Sequence, residues 1–597
     1  HGAAGSPPLL WTARSLRYLA TDACGAAAPR KVLVFSGWRF VPKAIAVVAS
    51  QATERRLSRG GAASNQPLQL KAELSSHVFD VCLPSLALAT IVDPLAIALA
   101  HGSPPTEEQL VDLAQSALRT RLSEVGVEVS KAGSMLPWQA AMLLESRLGF
   151  EPAVRDALLE WWAADGVDTR PVRQNARRLG DWLDETSKST ISPDRLRRLA
   201  LIAVGSPAVA LLRSGIRLFS ATACAKALPR LWTVGFEALR SYFNRPTVQQ
   251  TVRFASGTKR RKRAGRQQAT GYSVQVLRYC LKYEFQAVMD EHTFLAKADG
   301  GADSVDALAT HLERIWSLEP GLRRTNAPRR RGNEVIISSE GERFQTHFAL
   351  AFGDELKSES ATGSGSKPLR RTEIREAFNS PFWPFVLATT SVGQEGLDFH
   401  WHCRDVFHWN LPANPVDLEQ REGRVNRRHG LAVRQSIARD WSLRSLEGRV
   451  GERNPWDALF NVLEGDQQLQ RYKQGLYPHW IYECKDPAQT VGVVRHVSHF
   501  RASRDAERYQ VLKERLALYR LVFGQAKQEH LLSDLHDKLR ALPDAQQREA
   551  RRSLRGYMLN LSPISRDEAM KFAREEAEQL LATPSALCEL LTAVRQI

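Results

Sequence analysis

The segment Gln420-Arg-Glu-Gly-Arg-Val-Asn-Arg427 concentrates more usable chemistry than any other stretch of this 597-residue chain. Asn414 is a good N-cap, Pro415 a good first helical residue and Asp417 an acid suited to a first turn, so a helix is predicted to start here. On that helix Gln420, Arg424 and Arg427 fall at i, i+4 and i+7, which is one face. Gly423 would let another surface approach the backbone closely. An amide and two guanidinium groups on one face suit a triphosphate, because Arg grips phosphate oxygens bidentately. An arginine set against a transferring phosphoryl group speeds the reaction by roughly 10³–10⁵. The same spacing also describes a solvated basic helix face.

About thirty residues upstream lies Ala388-Thr-Thr-Ser-Val-Gly-Gln-Glu-Gly-Leu-Asp-Phe399. An apolar strand there delivers Thr389, Thr390 and Ser391 into a turn punctuated by Gly393 and Gly396. Hydroxyls and backbone N–H groups at such a turn suit a nucleic-acid phosphate, and Asp398 suits a ribose hydroxyl. Read by itself, the segment is equally an ordinary strand-to-helix turn.

The elements that must position these residues are legible around them. Lys31-Val-Leu-Val-Phe-Ser36 reads as a strand, followed by a helix over 42–50. Further strands are predicted at Val335–Ser338, His347–Phe352, Phe385–Thr390 and Val406–Asn410, with an amphipathic helix at Thr372–Phe378. Residues 56–340 carry mostly helical periodicity. Two basic clusters interrupt them, Lys259-Arg-Arg-Lys-Arg263 and Arg323 to Arg331, both read as loops because Gly, Thr, Ser, Asn and Pro surround them. Beyond about Val433 the pattern is again mostly helical, clearest at Ser503–Phe523.

Composition narrows the class. Eighty-two Lys and Arg against 65 Asp and Glu give a net charge of +17, which points to a polyanionic partner, nucleic acid before membrane. Hydrophobic content of 43% excludes a wholly disordered chain. Seven scattered cysteines without a Cys-x-x-Cys pair exclude a disulfide scaffold and fit a reducing cytoplasm. The most apolar stretches, 77–101 and 199–219, are broken by Pro and charged residues, and read as buried helices. His400, His402, Cys403 and His408 match no zinc spacing, so no metal ligand set is expected.

In order and spacing, Lys31–Ser36, Ala388–Phe399 and Gln420–Arg427 resemble motifs IV, V and VI of superfamily 2 helicases and translocases. Phe378-Asn-Ser380, Trp409-Asn-Leu-Pro412 and Asp417–Glu419 resemble the Swi/Snf-like branch of bacterial helicase-related proteins. The resemblance implies an α/β fold: a RecA-like second lobe, a parallel sheet flanked by helices, built from 1–55 and 341–435. A mostly helical insertion would fill 56–340 and a helical extension 436–597. It also implies ATP and Mg²⁺ as cofactors, with Arg424 and Arg427 as arginine fingers beside Gln420. Gly396, Asp398 and Gly423 would lie at the nucleotide. Ser36, Thr389, Thr390 and Ser391 would lie on DNA, or on RNA, with Lys259, Arg260, Arg261, Arg329 and Arg330 extending the contact. A role in bacterial genome maintenance or phage defence, with other subunits, follows from the same resemblance.

One departure matters. The chain has no Gly-x-x-x-x-Gly-Lys-[Ser/Thr] and no Gly-Lys dipeptide, so nothing in it cradles the β- and γ-phosphates. Gly363-Ser-Gly-Ser-Lys367 lacks the spacing, and Asp290-Glu-His292 reads as an acid pair on a helix surface. The expectation is that the first lobe, which would hold ATP and Mg²⁺, precedes His1. A non-catalytic nucleic-acid-binding or scaffolding module with a degenerate lobe is the competing expectation.

Overall fold

Short runs of β-branched and aromatic residues form the sheet: Lys31–Phe35 (β1), Ala349–Phe352 (β2), Val386–Thr389 (β3), Cys403–His408 (β4) and Val494–Val497 (β5). A computed structural model of the chain describes residues 9–20, 23, 28–59, 70, 78–147, 190–256, 271–318, 322–325, 328–331, 334–337, 342–345, 348–352, 371–390, 397–446, 453–465, 476–498, 504–519, 521 and 527–555. The five strands are parallel, in the order β5-β4-β1-β3-β2. At the centre Val34 stands between Ala388 of β3 and Phe407 of β4. The α/β lobe with a parallel sheet flanked by helices is therefore present.

Between β3 and β4 the chain crosses over β1. The switch in strand order falls at β1, and sheets of this kind bind ligands at the carboxyl ends of their strands beside such a switch. Helix α1 (Phe40–Arg59) follows β1 and packs over β2 and β3, with Pro42 in its first turn. Ala46 packs on Ala349 and Ala351, and the Ser50 hydroxyl accepts from the Ala349 N–H at 3.3 Å. At the other end of β1 the buried Lys31 ammonium donates to the carbonyl of Ala377, 3.2 Å away, and to that of Phe382. It also lies 5.1 Å from the Phe378 ring centroid.

The insertion is mostly helical where it is described, with a short parallel pair, Glu128–Val129 beside Thr190–Ile191. Pro193–Gly205 (α2) and Pro207–Leu218 (α3) meet at 51°, because Ser206 caps one and starts the other and Pro207 has no N–H to continue α2. Among the described residues no single helix is long and apolar enough to cross a membrane. Gly205 is required: a Cβ there would sit 2.6 Å from the Leu277 carbonyl of α4 (Gly271–Lys282). Trp11 joins this core to the lobe, with its ring edge-on to Tyr279 and Phe285 at 5.0 Å and to Phe382 at 6.2 Å.

Three expectations are corrected. Asp290 and Glu291 are not on a helix surface; they lie in α5 (Phe285–Ala298), which is buried from Phe285 through Ala296. Buried carboxylates need partners. Asp290 pairs with Arg217 and accepts from Ser214 and Tyr18, each at 2.7 Å. Glu291 accepts from Arg434 at 2.8 Å and from the Ser15 N–H and hydroxyl at 2.8 and 2.7 Å. Arg323–Arg324 and Arg329–Arg331 are strands rather than loops: Leu322–Thr325 pairs with Glu342–Gln345, and Pro328–Arg331 with Glu334–Ile337, both antiparallel. Finally, the C-terminal extension is not all helical, since it supplies β5. Lys259–Arg263 and Gly363–Lys367 lie outside the described residues.

Candidate functional site

Where β1 ends, its neighbours hold it from both sides. The Ser36 N–H donates to the Thr389 carbonyl at 2.9 Å, and the Trp409 N–H donates to the Phe35 carbonyl at 2.9 Å. Asn410 closes the edge: its Oδ1 accepts from the Gly37 N–H at 2.8 Å and from the Ser36 hydroxyl at 3.2 Å. Ser36 and Thr389 are buried, and the Thr389 hydroxyl donates to the Thr390 carbonyl at 3.2 Å. Thr390 stands half-buried at the rim, while Ser391, Gly393 and Gly396 lie outside the described residues.

Opposite this edge is helix α7 (Pro415–Gly423), whose start follows the sequence prediction. Asn414 Oδ1 accepts from the Val416 N–H at 2.9 Å, and Pro415 is the first helical residue. Leu418 buries itself against Leu411 and against Leu512 of helix α9 (Asp505–Tyr519, which follows α8, Leu431–Asp440). Glu422 ties α7 to β5 through Arg495, with Nη2 to Oε2 at 2.7 Å. Burial raises the Glu422 carboxyl, but the bonds from Arg495 and His408 outweigh it and hold it below its usual value.

The end of α7 differs from prediction. Helix geometry stops at Gly423, so Arg424 is the cap and Arg427 lies in the following turn, off the helix face. The cause is a long-range backbone bond: the Phe399 N–H donates to the Arg424 carbonyl at 2.8 Å. Even so, the three segments meet. Arg427 Nε donates to Asp398 Oδ1 at 2.8 Å. Arg424 Nη1 reaches the Leu397 carbonyl at 3.5 Å, its buried Nε has no hydrogen-bond partner, and no carboxylate pairs with it among the described residues. Burial, then the neighbouring charge of Arg427, lowers the Arg424 pKa. Gln420 is exposed on α7, and the space beside Gly423 is open, since a Cβ there would meet nothing within 4 Å.

Two residues that sequence reasoning passed over complete the edge. Arg421 is buried, donating through Nη1 to the Asn410 carbonyl at 3.1 Å and placing its guanidinium 5.4 Å from the Phe35 ring centroid. Asn410 links β1, β4 and α7 in this way; the sequence offered it only as part of Trp409-Asn-Leu-Pro412, with no role attached. Beyond the turn, His429 Nε2 lies 2.8 Å from His479 Nδ1 and His429 Nδ1 lies 3.1 Å from Asp299, binding the turn to α5's end and to residues 476–480.

The arrangement suits an anion. One guanidinium is held by a carboxylate and its neighbour is not, and both lie against the segment Leu397–Phe399. The half-buried Arg424 guanidinium, which no described carboxylate pairs with, is the group suited to a phosphate oxygen. For Mg²⁺ the residues do not fit: among the described residues no three His, Cys, Asp or Glu side chains could hold a metal ion. His400 and His402 are buried beside Trp401, and Asp290 and Glu291 are consumed by arginines.

A sequence model described as the helicase conserved C-terminal domain matches residues 322–429. The match takes in β2, helix α6 (Arg371–Phe378), β3, β4 and α7 but not β1, although β1 sits at the centre of the same sheet. No curated protein and no solved structure matches the chain. Residues 322–429 therefore carry a helicase-type C-terminal lobe.

Proposed function

We propose that this chain supplies the strand-tracking lobe of an ATP-driven superfamily 2 helicase or translocase of the Swi/Snf-like bacterial kind, acting on DNA or RNA. The observation that carries the reading is Arg424, a half-buried guanidinium that no described carboxylate pairs with, set beside the Arg427–Asp398 pair. In the reaction Arg424 stabilises negative charge on the transferring γ-phosphoryl oxygens. Arg427, oriented by Asp398, supplies a second positive charge, and Gln420 completes the set. Thr390 and Ser391 meet the phosphates of the tracked strand, beside the buried Ser36 and Thr389.

A phosphate-binding loop and the acids that hold Mg²⁺ must come from another lobe, whose bound ion neutralises phosphate charge. Arg424 then reports nucleotide state across the cleft. Its bond to the γ-phosphate favours lobe closure, loss of that bond favours opening, and the difference drives a step along the strand. A reducing cytoplasm, and subunits of a genome-maintenance or defence system, complete the proposal. The five described cysteines, all buried and unpaired, support the first.

The test is ATP hydrolysis by this chain together with a nucleotide-binding lobe, in the same chain or a partner, measured with duplex DNA, single-stranded DNA and RNA. Stimulation of about 10-fold or more by one of these is expected. Nucleic-acid binding without stimulated hydrolysis would favour a scaffolding module instead.

A further inference from the structure

The residues just past β1 are unusually exposed. Trp38 is 62% and Phe40 74% accessible, and with Val48 and Leu113 they are the exposed large hydrophobics among the described residues. Rings of this size are normally buried, and an exposed aromatic pair marks a contact surface.

Their backbone is held firmly. The Trp38 N–H donates to Ser36 Oγ at 3.0 Å, the Trp38 carbonyl accepts from the Val41 N–H at 3.2 Å, and Gly37 is bound to Asn410. The rings therefore project from the same edge that carries Ser36 and Thr389. Between them lies the exposed Arg39, and α1 begins with no acid in its first turn. Lys43, Arg55 and Arg56 follow along α1 against the single acid Glu54. A partner that is both flat-faced and negative fits such a surface. Single-stranded nucleic acid has that chemistry, with bases to stack and phosphates to pair.

We propose that Trp38 and Phe40 form a stacking platform for unpaired bases of the strand this lobe tracks, with Arg39 on its phosphates. This rests on the tracking function proposed above and extends it from backbone contact to base contact. It implies that the lobe engages a strand whose bases are unstacked from a partner, since a ring cannot reach a base face inside an intact duplex.

The test compares binding of an oligothymidylate with binding of an abasic oligonucleotide of equal length, at one salt concentration, by the native chain and by Trp38→Ala/Phe40→Ala. Both residues are exposed, so the variant's melting temperature should equal that of the native chain. The native chain should prefer the oligothymidylate by about 10-fold or more per stacked base, and the variant should bind both strands as the native chain binds the abasic one. The platform is overturned if the native chain shows no preference, if the variant keeps it, or if both strands weaken equally. Val48, exposed on the same helix, would in that case belong to a protein-binding face. Abasic binding with stimulated ATP hydrolysis but no base preference removes the platform and leaves the tracking function standing. Binding of neither strand removes both.

Discussion

Arg427 donates from Nε to Asp398 Oδ1 at 2.8 Å, joining the exit of β3 to the turn after α7. Both side chains are partly exposed, so the ion pair contributes no more than about 1 kcal/mol to stability. Asp398→Ala should therefore shift the melting temperature by no more than roughly 2–4 °C. Freed from its anchor, Arg427 loses its orientation, and ATP turnover should fall about 10-fold or more. Calorimetry and turnover on the same preparation check the split.

Glu291 and Arg434 are the opposite case. Both are buried, and Arg434 also donates to the carbonyls of His429 and Trp401. Removing one partner strands a charge in the core, so Glu291→Ala should cost roughly 3–5 kcal/mol. The pair ties α5 to α8 and, through Ser15, to the N-terminal segment. Urea unfolding should show the loss, and limited proteolysis should cut near Ser15.

Acid should weaken the fold. Burial above all pushes His292 and His402 well below the ordinary imidazole value and takes His311 and His400 to about 4. Neighbouring charges on Lys31, Arg314, Arg427 and Arg434 add to this, while Asp299 and Asp398 oppose it at His400. Below roughly 6.5 the unfolded chain takes up protons that the folded chain refuses. Stability is thus complete above that pH and falls towards about 4, by roughly 1.4 kcal/mol per pH unit for each histidine. Glu145, held up to about 7, and Glu284, also raised, both chiefly by burial, act in the other direction. The clean reading is therefore a difference: melting temperature against pH should fall less steeply in His292→Leu than in the native chain. Parallel curves would contradict it.

Much of this lobe is written locally in the sequence. Asn414-Pro415 starts α7 by side-chain capping and a preset φ, and Val32–Phe35 and Val386–Thr389 carry the β-branched and apolar residues that buried parallel strands need. The rest depends on residues far away. The stop at Gly423 is set by Phe399, which takes the Arg424 carbonyl. Burial of Asp290 and Glu291 depends on Arg217 and Arg434, whose pairing no local pattern announces. β5 has only four residues, two of them Arg and His, and is a strand because the edge of β4 offers it partners. Asn410 stood in the sequence only as part of Trp409-Asn-Leu-Pro412, because its role is the convergence of Gly37, Ser36 and Arg421 on one side chain and its own carbonyl.

Asn410→Ala should loosen that edge. Gly37 and Ser36 lose their shared acceptor, and the turn presenting Trp38 loses its support. A partly buried pair of hydrogen bonds amounts to about 1–3 kcal/mol. Nucleic-acid affinity should fall several-fold, with a smaller effect on ATP affinity, as measured by fluorescence titration with each ligand.

The most direct measurement is ATP turnover in Arg424→Ala and Arg424→Lys, in the native chain saturated with nucleic acid. If Arg424 stabilises the γ-phosphoryl charge, Arg424→Ala should lower kcat by roughly 10³-fold or more. Arg424→Lys should recover little, because an ammonium lacks the planar fork, and nucleic-acid affinity should stay within about 3-fold. Turnover unchanged in Arg424→Ala would take this arginine, and with it the nucleotide site beside Asp398, out of the reaction.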